Sequence, residues 1–321
     1  MAALRLTVAL PVRNGENFIR EAIDSILAQS FADFELVVAD NASQDGTADI
    51  VREYAARDPR VRHERGEEML PIGGNMNRAV TLARGEWVKL FCHDDLMRAD
   101  CLAQIDRAIE DHGDSNVAII GNNENHLMPD LFLTENQSGQ ASVFYNGKDA
   151  ARQHLNGTRK YLMPAVTSAT VRKSAFMALG QFDTRFVHFD HFLWLRIMVR
   201  HDFVYLPDTL TTTRVHPAQI THSSRKSLGW LNEYRTFIDE YLAEHGAALE
   251  LSWAADKRAR AIPLSVAAKS ILGELDLGNW SGAGEMFGKL PLAWKPVMPA
   301  LILRSWLQQR RARPAMAAGK S

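Results

Sequence analysis

Two adjacent carboxylates, Asp94 and Asp95, follow almost directly on the apolar run Glu86–Phe91. Like charges this close repel unless a cation or a base lies beside them. Carboxylate oxygens with open water positions suit Mg²⁺ or Mn²⁺. Such an ion can bridge a diphosphate and neutralise its charge as it leaves. The same pair also reads as a solvated turn before a helix that starts near Ala99. Repetition decides between the two. Arg13-Asn14-Gly15-Glu16 follows the apolar run Leu6–Pro11, and Asp40-Asn41-Ala42-Ser43, then Asp45-Gly46-Thr47, follows Glu35–Ala39. A single acid at a strand end is more often a cap or a turn. Three strand ends that deliver polar, mostly acidic groups to one edge point to a ligand site, because open parallel sheets bind ligands outside the carboxyl ends of their strands. Two further groups carry chemistry at other positions. Asp190 stands just before the helical run Phe192–Met198, where position alone makes it an N-cap. His216 precedes Pro217 in a loop, where a lone histidine is more often a surface residue.

The elements that must position these groups alternate. Leu6–Pro11 is a strand, Phe18–Leu27 has helical spacing, and Glu35–Ala39 is a strand again, which makes a βαβ unit. Helical patterns at Asp49–Ala56, Asn75–Ala83 and Leu102–Ile109 alternate with strand patterns at Val61–His63, Glu86–Phe91 and Val117–Ile120. This predicts an α/β fold, a mostly parallel central sheet with helices on both faces. Asn122–Gly147 reads as a long polar loop, Ala165–Val171 as a strand, and the chain from about Ser227 as helices only. The expected division is a catalytic domain over residues 1–226, with a nucleotide-binding half over about 1–120 and an acceptor-binding half over about 121–226. A helical C-terminal region with a basic tail follows over 227–321.

Bulk composition narrows the classes. The 321 residues are 46 % hydrophobic and 23 % charged, with a formal net charge of −1. That is globular composition without the basic excess of a nucleic-acid binder. The two cysteines, Cys92 and Cys101, make neither a CxxC pair nor a disulfide framework, so a reducing, cytoplasmic setting is expected. The apolar N-terminus is too short for a signal peptide, and no run reaches the roughly 18 apolar residues of a spanning helix. There is no G-x-G-x-x-G after the first strand, as a dehydrogenase would need, and no HExxH-type zinc spacing.

The run Val8–Ile19 resembles the opening of the family-two inverting glycosyltransferases, which have the A-type glycosyltransferase fold. Phe34–Thr47 resembles the family too, as do Asn77–Val88 with Asp94-Asp95, Gly180–Asp183, Phe189-Asp190 and Thr213–His216. The likeness covers roughly residues 4 to 220, in order. It implies transfer of a sugar from a nucleotide-sugar donor to a sugar or lipid-linked sugar acceptor, in bacterial surface polysaccharide or glycolipid assembly. By the resemblance, Asp40 contacts the nucleotide. Pro11, Arg13, Asn14 and Glu16 line the same pocket, with Asn77 and Arg78 near it. Asp94 and Asp95 bind the divalent metal (Mg²⁺ or Mn²⁺) and the diphosphate, His216 lies at the metal, and Asp190 is the base that deprotonates the acceptor. Two positions depart from the pattern. Cys92 stands where the family often has the first acid of Asp-x-Asp-Asp, and Phe189 stands before the base where Glu is common. The incomplete acidic motif motivates an alternative, an inactive nucleotide-sugar-binding scaffold of the same fold.

Outside these motifs, Gln219, Thr221, His222, Ser223, Ser224 and Arg225 read equally as a flap over the nucleotide or as a linker. Leu292–Leu307 mixes apolar residues with Lys295 and Arg304 and meets Arg310, Arg311 and Arg313. Two readings stay open for it. One is a helical subdomain with a solvated basic tail. The other is a peripheral contact with anionic lipid at the inner face of the membrane.

Overall fold

The computed structural model describes residues 4–112, 115–128, 131–132, 141–156, 163–216, 229–276, 278–290, 292 and 294–317. They belong to two compact units, one of Met1–Gln153 with Arg159–His216, the other of His154–Thr158 with Pro217–Ser321. The stretch Gln219–Arg225, with its flap-or-linker reading, lies outside the described residues.

The first unit is built on one sheet. β1 (Leu6–Val12) pairs in parallel with β2 (Phe34–Asp40) on one side and with β4 (Trp87–Leu90) on the other, and β3 (Val61–Arg65) extends the parallel set beyond β2. β1, β2 and β4 are buried along their whole length. That is what a parallel sheet covered on both faces requires, and why these strands read as apolar runs. α1 (Ile19–Leu27) buries Ile19, Ala22, Ile23 and Ile26, a single face at three-to-four spacing. α2 (Thr47–Arg57), α3 (Ile72–Leu82) and α4 (Cys101–His112) are the other helices of this half. The order β3-β2-β1-β4 makes β1 the switch point, with the chain winding to one side before α2 and to the other after α3. A crevice therefore opens beyond the carboxyl ends of β1 and β4. Gly85 closes the turn into β4 against β1. A Cβ there would lie 2.8 Å from the backbone nitrogen of Thr7, so no larger residue fits without moving the strand.

Beyond β4 the sheet becomes mixed. β9 (Ala169–Arg172) runs antiparallel to both β4 and β6 (Val117–Met128), and β10 (Asp202–Arg214) runs parallel to β6. Two-residue β5 (Leu96–Met97) and β7 (Leu131–Phe132), with β8 (Val143–Tyr145), add antiparallel edges. The polar stretch from Asn122 is thus not a loop at its start. Residues 122–128 continue β6, and their polarity reflects the polar edge they border. Because β9 runs backwards, its start lies at the same edge as the ends of β4 and β6. The 3₁₀ turn Val166–Ser168 sits there, where the sequence pattern suggested continuous strand from Ala165. α5 (Gly147–Leu155), α6 (Lys173–Ala178) and α7 (Phe189–Met198) complete the elements before residue 217. In α7, Phe192 and Trp194 are core residues, and the Trp194 indole N–H donates to Pro164 O at 2.9 Å.

The second unit is helical: α8 (Gly229–His245), α9 (Trp253–Arg260), α10 (Ile262–Asp276), α11 (Trp280–Lys289) and α12 (Met298–Ala317). α10 is its centre, packing on α8, α11 and α12 and burying Ala267, Ala268, Ile271 and Leu272. No helix among the described residues is long and apolar enough to cross a membrane.

Candidate functional site

On the β1–β2 side of the crevice, the loops after the two strands are clasped together. Asn14 N donates to Ser43 Oγ at 3.0 Å and Gly15 N to Thr47 Oγ1 at 2.8 Å. In return, Gln44 N donates to Asn14 Oδ1 at 2.9 Å and Gly46 N to Glu16 Oε2 at 2.8 Å. The Asn14 and Glu16 side chains therefore hold the neighbouring loop's backbone. Asn14 (φ 50°) and Ala42 (φ 54°) adopt left-handed backbone at the sharp points of these two loops, a conformation Asn tolerates and Ala rarely adopts. Pro11 is buried in β1 and Arg13 is half-buried just after it.

Asp40 ends β2 with no exposed surface. Its Oδ1 accepts from Ser43 N at 2.9 Å and its Oδ2 from Arg65 at 3.2 Å, with His63 Nε2 3.5 Å from the same oxygen. Burial alone would raise its pKa. The close His63 imidazole, the hydrogen bond from Ser43 and the Arg65 charge outweigh it and hold the carboxyl down at about 2. Arg78 donates to the Asp40 carbonyl at 3.3 Å and to Glu64 O at 2.8 Å. Asn77 spends its whole amide on Phe182, donating to its carbonyl at 2.8 Å and accepting from its N–H at 2.9 Å. Arg78 and Asn77 thus brace the frame around Asp40 and tie α3 to the Gly180–Asp183 turn.

On the β4 side stands the acidic pair. Cys92 Sγ and oxygens of Asp94 and Asp95 lie within 4.8 Å of one another. His216 Nε2 is 3.0 Å from Asp94 Oδ2, and the His216 ring lies against Phe18 with centroids 4.8 Å apart. Arg214 is engaged within the protein. Its N–H donates to Asp95 Oδ1 at 3.0 Å, its Nε to Asp94 O at 3.0 Å, and its guanidinium reaches Glu21 at 2.7 Å. The ends of β4 and β10 are locked together by these bonds. Asp95 is 2 % exposed. Burial first, and the Asp94 charge second, push its carboxyl up to about 8. Adjacent carboxylates held this way are relieved when a cation lies between them. That strain, with two carboxylates and an imidazole converging, fits a hard divalent ion such as Mg²⁺ or Mn²⁺.

Asp190 belongs to the same neighbourhood. Burial raises the Cys92 thiol pKa well above its ordinary value, and the charges that add to this are Asp95, Asp94, Asp190 and Glu124. The bland reading of Asp190 as helix cap does not hold. The cap position of α7 is His188, no side chain caps the helix, and Asp190 lies within the first turn. Three residues of this edge went unremarked in the sequence. Glu124 on β6 accepts from Ser168 Oγ at 2.6 Å. Thr167 Oγ1 accepts from Cys92 N at 3.5 Å. Lys89 is fully buried behind them. Strand period alone gave no signal for them, since each sits in a stretch read as plain strand or loop.

The description "Glycosyl transferase family 2" matches residues 7–180. An uncharacterised glycosyltransferase of Rickettsia typhi is 24 % identical over 242 residues, covering 74 % of this chain and 71 % of the relative. An uncharacterised protein of Sinorhizobium fredii is 37 % identical over 114 residues, 35 % of this chain, and the chain spans only 12 % of that relative's length. Among solved structures, TarS of S. aureus (residues 1–349) in complex with UDP-GlcNAc superposes with a TM-score of 0.63 at 17 % identity, covering 92 % of this chain and 79 % of the other. The mannosyltransferase PcManGT of Pyrobaculum calidifontis, in complex with GDP-Man and Mn²⁺, superposes with a TM-score of 0.58 at 21 % identity, covering 95 % and 86 %. These likenesses show the shared A-type fold. The family match spans more than half of the chain and carries the edge built by β1, β2 and β4. The chain belongs to glycosyl transferase family 2 and is a glycosyltransferase.

Proposed function

We propose that the protein transfers a sugar from a nucleoside-diphosphate sugar to a hydroxyl acceptor by direct displacement with inversion. The observation that carries this is the gathering of Asp94, Asp95, His216 and Asp190 at the one edge where the Asp40 frame also ends. In this reading Asp40, Pro11, Arg13, Asn14 and Glu16 form the nucleotide pocket, with Asn77 and Arg78 bracing it. Asp94, Asp95 and His216 would hold a divalent ion, which supplies charge neutralisation to the departing diphosphate. Asp190 takes the proton from the acceptor hydroxyl as that oxygen attacks the anomeric carbon, and the nucleoside diphosphate leaves from the opposite face. A base so placed contributes about 10²–10⁴-fold.

The relatives support the chemistry of the partners. TarS is seen with UDP and UDP-GlcNAc, and PcManGT with GDP-Man and Mn²⁺. A putative teichuronic acid biosynthesis glycosyltransferase of Bacillus subtilis is 31 % identical over 97 residues, 30 % of this chain and 38 % of the relative. A polysaccharide or lipid-linked sugar acceptor at the cytoplasmic face of the membrane is in keeping with it. The catalytic domain would run over 1–226, with the donor half over about 1–120 and the acceptor half over about 121–226, and the helical region 227–321 would provide any peripheral membrane contact.

The test is calorimetry with UDP, GDP and their sugars, with and without Mn²⁺, on the parent and on Asp94→Ala/Asp95→Ala. Metal-dependent binding of one nucleotide, lost in the double variant, supports the donor site. Turnover of the bound donor, with the product anomer read by NMR, excludes the inactive-scaffold alternative, and retention of configuration overturns direct displacement. No binding by a folded parent removes the donor site altogether.

A further inference from the structure

Lys89 sits near the end of β4, three residues before Cys92, with no exposed surface. A buried ammonium is costly unless it is paired and hydrogen-bonded, and an apolar residue of similar length would suit a buried strand as well or better. Its partners explain its presence. Nζ donates to Thr167 O at 2.8 Å and to Asn122 Oδ1 at 3.0 Å. Burial pulls its pKa below the ordinary lysine value, while Cys101, Glu124, Cys92 and Asp95 act in the opposite direction.

Two hydrogen-bond paths lead from this ammonium to the acidic edge. On the first, Lys89 fixes the Thr167 carbonyl, and the Thr167 hydroxyl oxygen accepts from Cys92 N at 3.5 Å, at the start of the loop that carries Asp94 and Asp95. On the second, Asn122 Nδ2 donates to Thr211 Oγ1 at 3.0 Å, Thr211 Oγ1 lies 3.3 Å from Ser168 Oγ, and Ser168 Oγ donates to Glu124 Oε2 at 2.6 Å. Both paths pass through the turn Val166–Ser168, whose two hydroxyl side chains are buried. One ammonium, one short turn, the Cys92 backbone and the Glu124 carboxylate make a single braced unit.

We propose that Lys89 is a positioning residue of the metal and diphosphate site: its ammonium anchors the 166–168 turn, and through the Thr167 hydroxyl, which accepts from Cys92 N, it fixes the start of the loop on which Asp94 and Asp95 would hold the cation. The inference rests on the reading of Asp94 and Asp95 as metal ligands. Groups that orient ligands from behind are worth about 10–100-fold in metal affinity. A lysine that only filled space would move stability without moving that affinity.

The experiment measures Mn²⁺ binding by loss of the free-ion EPR signal, with UDP and with GDP present. The proteins are the parent, Lys89→Met, Thr167→Val, the double variant, Asp95→Ala, and Lys173→Met as control. Lys173 also bridges two carbonyls, Thr81 O at 3.0 Å and Ala83 O at 2.6 Å, on a different part of the fold. Lys89→Met and Thr167→Val are each expected to weaken Mn²⁺ binding by about tenfold or more. The double variant should be no weaker than the weaker single, because both act on one path. Lys173→Met should bind as the parent does. Parent-level Mn²⁺ affinity in Thr167→Val or in folded Lys89→Met, with binding lost in Asp95→Ala, overturns the role of Lys89 and leaves the metal site standing. Should Lys89→Met not fold, Thr167→Val alone decides. A folded parent that binds no Mn²⁺ with either nucleotide removes the metal reading and this inference with it.

Discussion

A carboxylate that accepts a proton from an acceptor hydroxyl must be ionised and unburdened by structural bonds. Asp190 is not spent on a capping bond, because the cap of α7 falls on His188 and leaves Asp190 in the first turn. Asp190→Asn should lower kcat by about 10²-fold or more while Mn²⁺ and nucleotide affinities stay at the parent level. Steady-state kinetics beside calorimetry checks this, and an equal loss in binding would make Asp190 a ligand instead of a base. Asp40 is the opposite case, a carboxylate loaded with partners. Its folded pKa of about 2 lies below the unfolded value. Its stabilising contribution is therefore complete above about pH 4 and fades as pH falls toward 2. Chemical denaturation of parent and Asp40→Asn should show a stability gap that is constant from about pH 5 to 7 and narrows below about pH 4. A gap that widens on acidification would reverse the sign and exclude this account. At this scale the sequence was informative where acids followed apolar runs, as at Asp40 and Asp94-Asp95. It was silent where a chemical group hides inside a strand. Lys89 is a single charge among the apolar letters of WVKLF, and Glu124 falls in a stretch too polar to read as strand. Only pairing to β9 and β10 shows that both face the same edge.

Elements place these groups by close approach as much as by hydrogen bonding. Gly15 opens the loop after β1, and a Cβ there would lie 2.5 Å from His93 Cδ2 and 2.6 Å from a Val12 methyl. The first and fourth strand ends meet at that contact, so Gly15→Ala must shift the His93 ring or the loop itself. Overpacking of this kind costs about 1–3 kcal/mol, and the nucleotide pocket and the acidic pair should be disturbed together. Thermal unfolding and nucleotide titration of Gly15→Ala test it, and an unchanged nucleotide affinity would show the contact to be dispensable. The parallel half of the sheet was legible because both its faces are covered and its strands read as unbroken apolar runs. The mixed half was less so. A long polar strand bordering a site looks like a loop, so the continuation of β6 to Met128 escaped the pattern. At the start of β9, the bonds of Thr167 O to Lys89 and of Ser168 Oγ to Glu124 hold 166–168 in a 3₁₀ turn where local propensity favours strand. In both places tertiary hydrogen bonding overrode a local preference.

At the scale of the whole molecule, the charge of the chain is not spread evenly. The net charge is −1 over 321 residues, yet residues 292–321 carry Lys295, Arg304, Arg310, Arg311, Arg313 and Lys320 and no Asp or Glu. Within the same stretch, Leu292 is 85 % exposed and Leu303 57 % exposed. Leu272, Pro299, Ile302, Leu303 and Trp306 line an open apolar hollow of about 430 Å³ between α10 and α12. Exposed leucines beside an unopposed basic run suit the interface of an anionic bilayer, where apolar insertion and charge attraction add. A basic segment contributes about 1 kcal/mol per residue held near such a surface, and the attraction falls away beyond a Debye length of about 8 Å at physiological salt. The full chain should therefore cosediment with vesicles of phosphatidylglycerol and phosphatidylcholine, and much less with phosphatidylcholine alone. Raising the salt should weaken the binding without abolishing it, because the apolar part is not screened. Leu303→Glu should reduce what remains at high salt, whereas Arg304→Gln should chiefly reduce the salt-sensitive part. Equal recovery with neutral and anionic vesicles, or none with either, would leave the basic run a solvated face of the helical unit and send the search for the acceptor's surface back to the catalytic edge.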